Sequence, residues 1–190
     1  MMIQTKEYKD LPVNRSEALR YAFCRRPDEA ANALLDQCLE EALPKLRYRV
    51  CWKEYPVRLE GKTIDFGEFQ LTSRTLAKHL SGCSRAVVFG AAVSVDMDRL
   101  IAKYGYISPA KGLMMQAIGT ERIETLCDVF CDGLGQTRLR FSPGYGDLKL
   151  AAQQVIFEQL DCARQIGLTL NDSLVMSPSK AVTAIVGLVD

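Results

Sequence analysis

The sequence predicts an α+β domain in which helices pack on a mixed or antiparallel sheet. Three observations carry that expectation. Ala31, Leu34, Leu35, Cys38, Leu39 and Ala42 recur at helical spacing, forming the single apolar stripe of an amphipathic helix. From Tyr48 the period shortens to two: Tyr48, Val50, Trp52 and Glu54 alternate with Arg47, Arg49, Cys51 and Lys53, as on a half-buried strand. After Arg85 the run to Ala92 is continuously apolar or small, which suits a strand covered on both faces. Mixed element order of this kind fits α+β, or α/β with a mixed sheet. The 190 residues fit one domain spanning 1–190, with 1–45 as a helical lead-in and 46–190 as the core.

Taken in order, residues 1–13 read as a loose lead-in closed by Pro12. Asn14 or Ser16 caps a short helix to about Cys24. Arg25-Arg26-Pro27-Asp28 interrupts it, and a second helix runs from about Asp28 to Leu43, where Pro44 ends it. Beyond the strand at Tyr48, strands around Val57–Leu59 and Thr63–Phe66 flank Glu60-Gly61-Lys62, a hairpin turn. Arg47, Arg49, Lys53 and Arg58 give this region a basic face, read as a solvated sheet surface, with anion or partner binding as the sharper alternative. Thr72 or Ser73 caps a helix to about Leu80, and Ser81–Ser84 turns into the buried strand. Its end, Gly90-Ala91-Ala92-Val93-Ser94, leads into a helix from about Asp96 to Tyr104. Small residues there suit either tight packing or a ligand near a helix N-terminus.

Ser108-Pro109 opens the longest helix, about 108–132, with proline favourable in the first turn. Gly112 and Gly119 inside it each cost about 1 kcal/mol relative to alanine and predict close contact with a neighbour. Glu121, Glu124, Asp128 and Asp132 crowd its C-terminal half, against the helix dipole; one of them is a candidate to serve a ligand. Leu148 to about Gln165 reads as one amphipathic helix stopped at Gly167. The tail reads as a strand, a turn at Ser177-Pro178-Ser179, and a final strand.

Charge is balanced, with Lys+Arg 24 against Asp+Glu 23 and a net charge of +1, so bulk electrostatics do not point to nucleic acid. No apolar run is long enough to span a bilayer and no signal segment opens the chain, so a cytoplasmic location without membrane contact is expected. The seven cysteines are dispersed and contain no Cys-x-x-Cys pair. Cys127 and Cys131, four apart, share a helix face; two buried small hydrophobes are the favoured reading, and a metal or thiol site the remote one. The single histidine, His79, has no Cys or carboxylate partner in sequence and reads as a surface or half-buried helix residue. No Cys–His or Ser–His catalytic pair stands out, and no catalytic or metal-ligating residue is assigned.

The local chemistry that packing leaves unexplained lies at Arg140-Phe-Ser-Pro-Gly-Tyr-Gly-Asp147. Pro143 presets a turn, while Gly144 and Gly146 open conformations closed to other residues. Such a turn presents backbone N–H and C=O groups to a ligand. Arg140 adds a planar fork of donors suited to carboxylate or phosphate. In the bland alternative Arg140 pairs with Asp147 or Asp132 and pins the turn, and Tyr145 is a core aromatic.

Two blocks act together. Arg140-x-Ser142-Pro143-Gly144-Tyr145 is followed, past one helix, by Gly167-Leu-Thr-Leu-Asn-Asp-Ser, Met176-x-Pro178-Ser179 and a Val-Thr-Ala-Ile strand. This combination resembles the activation (reactivation) domain of cobalamin-dependent methionine synthase over about the last quarter of the chain; upstream only the layout agrees. The resemblance implies S-adenosylmethionine binding, with Arg140 on the methionyl carboxylate, the backbone at Ser142 and Gly144 on the adenine edge, and Tyr145 closing the pocket. It also implies an acid, Asp132 or Asp128 one turn earlier, facing the ligand's positive charges. The implied task is reductive methylation of a cob(II)alamin cofactor held by a partner, a cobalamin-dependent methionine synthase or other corrinoid protein, with a flavodoxin-type electron donor. The family pattern continues beyond the hairpin, whereas this sequence ends at Asp190, and nothing in it resembles cobalamin-, folate- or homocysteine-binding modules. A free-standing activation subunit is therefore expected. The alternative is a non-catalytic module of the same fold that docks on a corrinoid protein without a methyl donor.

Overall fold

The computed structural model describes residues 2–189. The first strand, β1 (Gln4–Tyr8), lies where a loose lead-in is expected, and pairs antiparallel with β2 (Tyr48–Pro56). Its side chains are exposed up to Tyr8, so no buried face marks it in the sequence. Helix α1 (Arg15–Tyr21) is capped by the Asn14 side chain, and α2 (Glu29–Ala42) by Asp28, which accepts from the Ala31 N–H at 2.8 Å. A 3-10 turn over Leu43–Lys45, opened by Pro44, delivers the chain to β2.

Strands β3 (Arg58–Glu60), β4 (Thr63–Asp65) and β5 (Gln70–Thr72) form a separate three-stranded meander. The sequence reading has the hairpin but not β5, whose three residues are too few for a period. Ser73 caps α3 (Arg74–His79), and the buried strand is β6 (Arg85–Val93). Two antiparallel helices follow, α4 (Asp96–Ile107) and α5 (Pro109–Asp132). Their close approach uses Gly112, where an added Cβ would lie 3.0 Å from the Gly105 backbone nitrogen.

The predicted helix over 148–165 is two helices, α6 (Ala152–Leu160) and α7 (Cys162–Ile166). Asp161 sits between them in the left-handed region at φ 46°, and Gly167 ends α7 at φ 71°. The apolar spacing continues across the break, so periodicity alone reads one helix. The single strand expected before the turn at Ser177-Pro178-Ser179 is instead a short hairpin, β7 (Thr169–Leu170) and β8 (Met176–Ser177), closed by the Asn171 N–H on the Val175 carbonyl; the expected final strand is β9 (Ala181–Leu188).

The central sheet has the order β1-β2-β6-β9, and every neighbouring pair is antiparallel. Its two faces are fully used. Val50, Val87, Phe89, Ala91, Val93, Ala184 and Val186 face α1, α2, α4 and α5, while Cys51, Tyr55, Ala86, Val88, Ala92 and Ile185 face α3, α6, α7 and the meander. That double coverage explains the unbroken apolar run in β6. Each valine, isoleucine or phenylalanine among them contributes about 1.5–3 kcal/mol on full burial. The segment after α5 bridges to the outer edge of β9 at Thr137↔Leu188 and Phe141↔Ile185. Arg140 is thereby fixed at the sheet edge. Among the described residues no helix is long and apolar enough to cross a membrane.

Candidate functional site

Alternation along the edge segment sends Arg140 and Phe141 to opposite faces. Phe141 is locked by two backbone bonds to Ile185, at 3.0 and 2.9 Å, and joins the core beneath α3 and α6. Arg140 turns toward α5. Its Nη2 lies 2.9 Å from Glu124 and 2.9 Å from Asp128. Its Nη1 is buried and is without a hydrogen-bond partner among the described residues. Both acids therefore hold one tooth of the fork and leave the other unused. A buried donor left unpaired costs about 1–3 kcal/mol. Burial opposes the Arg140 charge, but Cys127, Glu124 and Asp128 outweigh it and the pKa stays raised.

Helical geometry explains which acids reach Arg140. Residues four apart on a helix drift by roughly 40° per step. Glu124 and Asp128 share the sheet-edge face. Asp132 has drifted further and lines a surface hollow with Pro12–Ser16, Thr125, Asp128 and Val129. So Asp128, the alternative acid, meets Arg140 directly, and Glu124 joins it. The i,i+4 spacing of 124 and 128 is the signal in the sequence that pairs them. Glu121 is committed elsewhere: it ion-pairs with Arg122, both side chains being 1% exposed or less, and accepts the Asn14 N–H at 2.9 Å. Arg122 also donates to the Leu11 and Pro12 carbonyls. The buried pair therefore welds the segment before α1 onto α5, and Glu121 is not available to a ligand.

Cys127 and Cys131 line the same face behind Arg140. Burial pushes the Cys127 thiol up to about 12 and the Cys131 thiol up to about 11, so neither offers a thiolate at neutral pH.

The turn after Arg140 is built by contacts with α3. Asp147 accepts from the Arg74 and Thr75 N–H groups at 2.8 and 3.1 Å, and from the Ser73 and Thr75 hydroxyls at 2.5 Å each. These donors hold its carboxyl well below the usual carboxylate range. Gly146, at φ 56°, packs so closely on Thr75 that an added Cβ would overlap the hydroxyl. Gly144, at φ 87°, donates its N–H to the Leu148 carbonyl at 2.8 Å, and the Tyr145 N–H donates to the Ser142 carbonyl at 3.1 Å. The Ser142 carbonyl retains a second lone pair. Tyr145 is 70% exposed and sets its ring edge against Phe141, with centroids 5.4 Å apart. It is not a core aromatic. His79 is half-buried on α3, with Nε2 2.7 Å from the Leu139 carbonyl.

Arg140, Glu124 and Asp128 thus form a charged cluster on one side of the edge. Ser142 and Gly144 follow in the turn, and Tyr145 packs against Phe141 on the other side. Chemically the cluster offers a guanidinium donor for a carboxylate, next to carboxylates for a cation. The basic strand face is largely neutralised: Glu7 pairs with Arg47 at 3.4 Å and with Arg49 at 3.0 Å, and Lys53 pairs with Glu68. The end of β6 does border a cavity of about 320 Å³, lined by Arg47, Arg49, Val95, Gly167 and Pro178 among others. Gly90, further back on the strand, serves packing: an added Cβ would lie 3.1 Å from the Cys162 sulfur.

A scan against protein-family models finds no match, and a search of curated proteins finds none either. Among solved structures the chain is similar to one described as the crystal structure of the MetH reactivation domain bound to AdoHcy. The TM-score is 0.75, over 98% of this chain and 78% of that one. The chain has the fold of the MetH reactivation domain. Identity across the match is 13%, so backbone architecture is what the two share. The expected α+β class and single compact domain hold.

Proposed function

We propose that this chain binds S-adenosylmethionine at the sheet edge and serves the reductive methylation of a corrinoid carried by a partner protein. The observation that carries the reading is the Arg140 cluster. Its unused Nη1 suits one oxygen of an α-carboxylate, and a bidentate contact follows once an acid swings away from Nη2. Asp128 is 65% exposed and Glu124 41%; ion pairs this open are worth about 0–1 kcal/mol, so exchange for a ligand carboxylate is cheap. The released acid then faces the ligand's ammonium or sulfonium. The backbone at Ser142 and Gly144 would meet the adenine edge, and Tyr145, exposed in the same turn, would close over it. Asp132 lies one further turn along α5 and adds negative potential. The neighbour of the same fold is bound to AdoHcy, the demethylated counterpart of S-adenosylmethionine, with the same amino-acid carboxylate and ammonium, ribose and adenine but a neutral thioether.

The ligand would carry an already activated methyl group on its sulfonium, and a corrinoid on the partner would supply the nucleophile for it. The chain's own residues then need only bind and orient. Arg140 fixes the carboxylate end, the turn pinned by Asp147 fixes the nucleoside end, and no proton has to move. The cobalamin-dependent methionine synthase assigned as partner, and the flavodoxin-type electron donor, belong to this proposal.

The test is methyl transfer. S-adenosylmethionine labelled in its methyl group is mixed with this chain, a strong reductant and a methionine synthase polypeptide lacking its own activation domain. Label should accumulate on the corrinoid only when the chain is present. Equal labelling with and without the chain would refute the proposal.

One observation favours a second reading. Arg140 is already paired with two acids, which also suits a structural pin in a non-catalytic module that docks on a corrinoid protein. In that case the complex forms, and neither its affinity nor the label responds to S-adenosylmethionine.

A further inference from the structure

Beneath the sheet, on the face away from the Arg140 cluster, two cysteines 111 residues apart in sequence meet. The sulfurs of Cys51 on β2 and Cys162 at the start of α7 are 3.8 Å apart, and the two residues are 0% and 1% exposed. Gly90, directly across from Cys51 in the β2–β6 pairing, makes room for them. An added Cβ there would lie 3.1 Å from the Cys162 sulfur and 3.6 Å from the Cys51 sulfur. The other cysteines are Cys24, Cys38, Cys83, Cys127 and Cys131.

We propose that Cys51 and Cys162 are a modification site: a dithiol that closes to a disulfide when a peroxide reaches it, tying α7 to the central sheet. The step balances as two thiols and one hydrogen peroxide giving one disulfide and two waters. The thiolate of one cysteine attacks the peroxide O–O bond, forming a sulfenic acid and releasing hydroxide. The second thiolate then attacks that sulfur and expels the hydroxyl as hydroxide, and the two thiol protons neutralise the two hydroxides. The sulfurs have to move from 3.8 Å to about 2.05 Å.

Access comes from α7. It is only five residues long and lies between two residues in the left-handed region, Asp161 and Gly167. A helix this short holds few internal hydrogen bonds and opens locally at low cost. Cys51 is the attacking sulfur: its hydrogen-bond contact with the Cys162 sulfur, and then the Gly90 backbone, outweigh burial and lower its pKa, while the same contact raises that of Cys162. Closure has a consequence for the neighbouring cavity. Ile166 and Gly167, at the far end of α7, and Arg49, two residues before Cys51, all line it. The disulfide would therefore fix two of its walls to one another.

The experiment uses the full chain. It is exposed to hydrogen peroxide, unfolded with N-ethylmaleimide present, digested without reductant and mapped by mass spectrometry. The expected result is a Cys51–Cys162 linked peptide, loss of two of the seven thiols, and a melting temperature several degrees higher that dithiothreitol reverses. Cys127→Ser should retain the linkage and Cys162→Ser should abolish it. Seven alkylated thiols, sulfinic acids at separate cysteines, or a Cys127–Cys131 link in its place would each overturn the proposal.

Discussion

Asp147 shows how one side chain organises the loop. Four donors from Ser73, Arg74 and Thr75 converge on its carboxylate, so its folded-state pKa is depressed. A depressed carboxylate adds stability that is full above its ordinary value of 3.8, shrinks as pH falls below that value, and is gone below the folded pKa. Asp147→Asn should therefore lower the melting temperature at neutral pH, and the gap to the unmodified chain should narrow below about pH 4, as measured by thermal melts across pH. An unchanged gap would mean that Asp147 does not titrate in this way. Arg140 behaves differently, because its pairs are exposed and one of its nitrogens is idle. The sequence shows Arg140, Gly144, Tyr145 and Gly146 as unusual. It does not show that Asp147 binds α3 in place of Arg140, because that pairing spans 74 residues between Ser73 and Asp147 and leaves no local pattern.

At the scale of elements, α5 carries the most distinct roles. A Cβ added at its Gly112 would lie 3.0–3.2 Å from the Gly105 and Tyr104 backbone. Gly112→Ala gains about 1 kcal/mol of helix propensity but forces a Cβ against backbone that cannot rotate away, at about 1–3 kcal/mol. The expected outcome is a lower melting temperature by calorimetry, contrary to the propensity scale. Its Arg122 is fully buried and holds Glu121 and the carbonyls of Leu11 and Pro12. Arg122→Ala leaves Glu121 buried and unpaired, and should cost about 3–5 kcal/mol in urea unfolding. Helix positions were legible from periodicity and caps: Asn14, Asp28 and Ser73 each cap as their chemistry suggests. Other features were not, and β5, at three residues, is too short to show a period. The exposed strand β1 buries no face, and the α6–α7 break rests on a left-handed Asp161, a residue type that gives weaker warning than glycine.

Across the whole molecule, the fold class and the final strand follow from period, glycine and proline placement, whereas the β7–β8 hairpin, two residues on each side, is too short to show a period. The sheet order β1-β2-β6-β9 does not follow either, since pairing partners far apart in sequence share no motif. The sequence offers Asp132, or Asp128 one turn earlier, as the acid near the loop; with the edge bridge at Phe141↔Ile185 fixing the segment, Asp128 and Glu124 are the acids that meet Arg140. The central claim concerns that edge and is tested most directly by isothermal titration calorimetry with S-adenosylmethionine. The account predicts saturable one-to-one binding to the chain, weakened about 10–100-fold in Arg140→Ala by loss of a charge-assisted contact worth about 1.5–3 kcal/mol, with the variant still folded by circular dichroism. Absence of binding at millimolar ligand, or equal affinity in the folded Arg140→Ala variant, would contradict it.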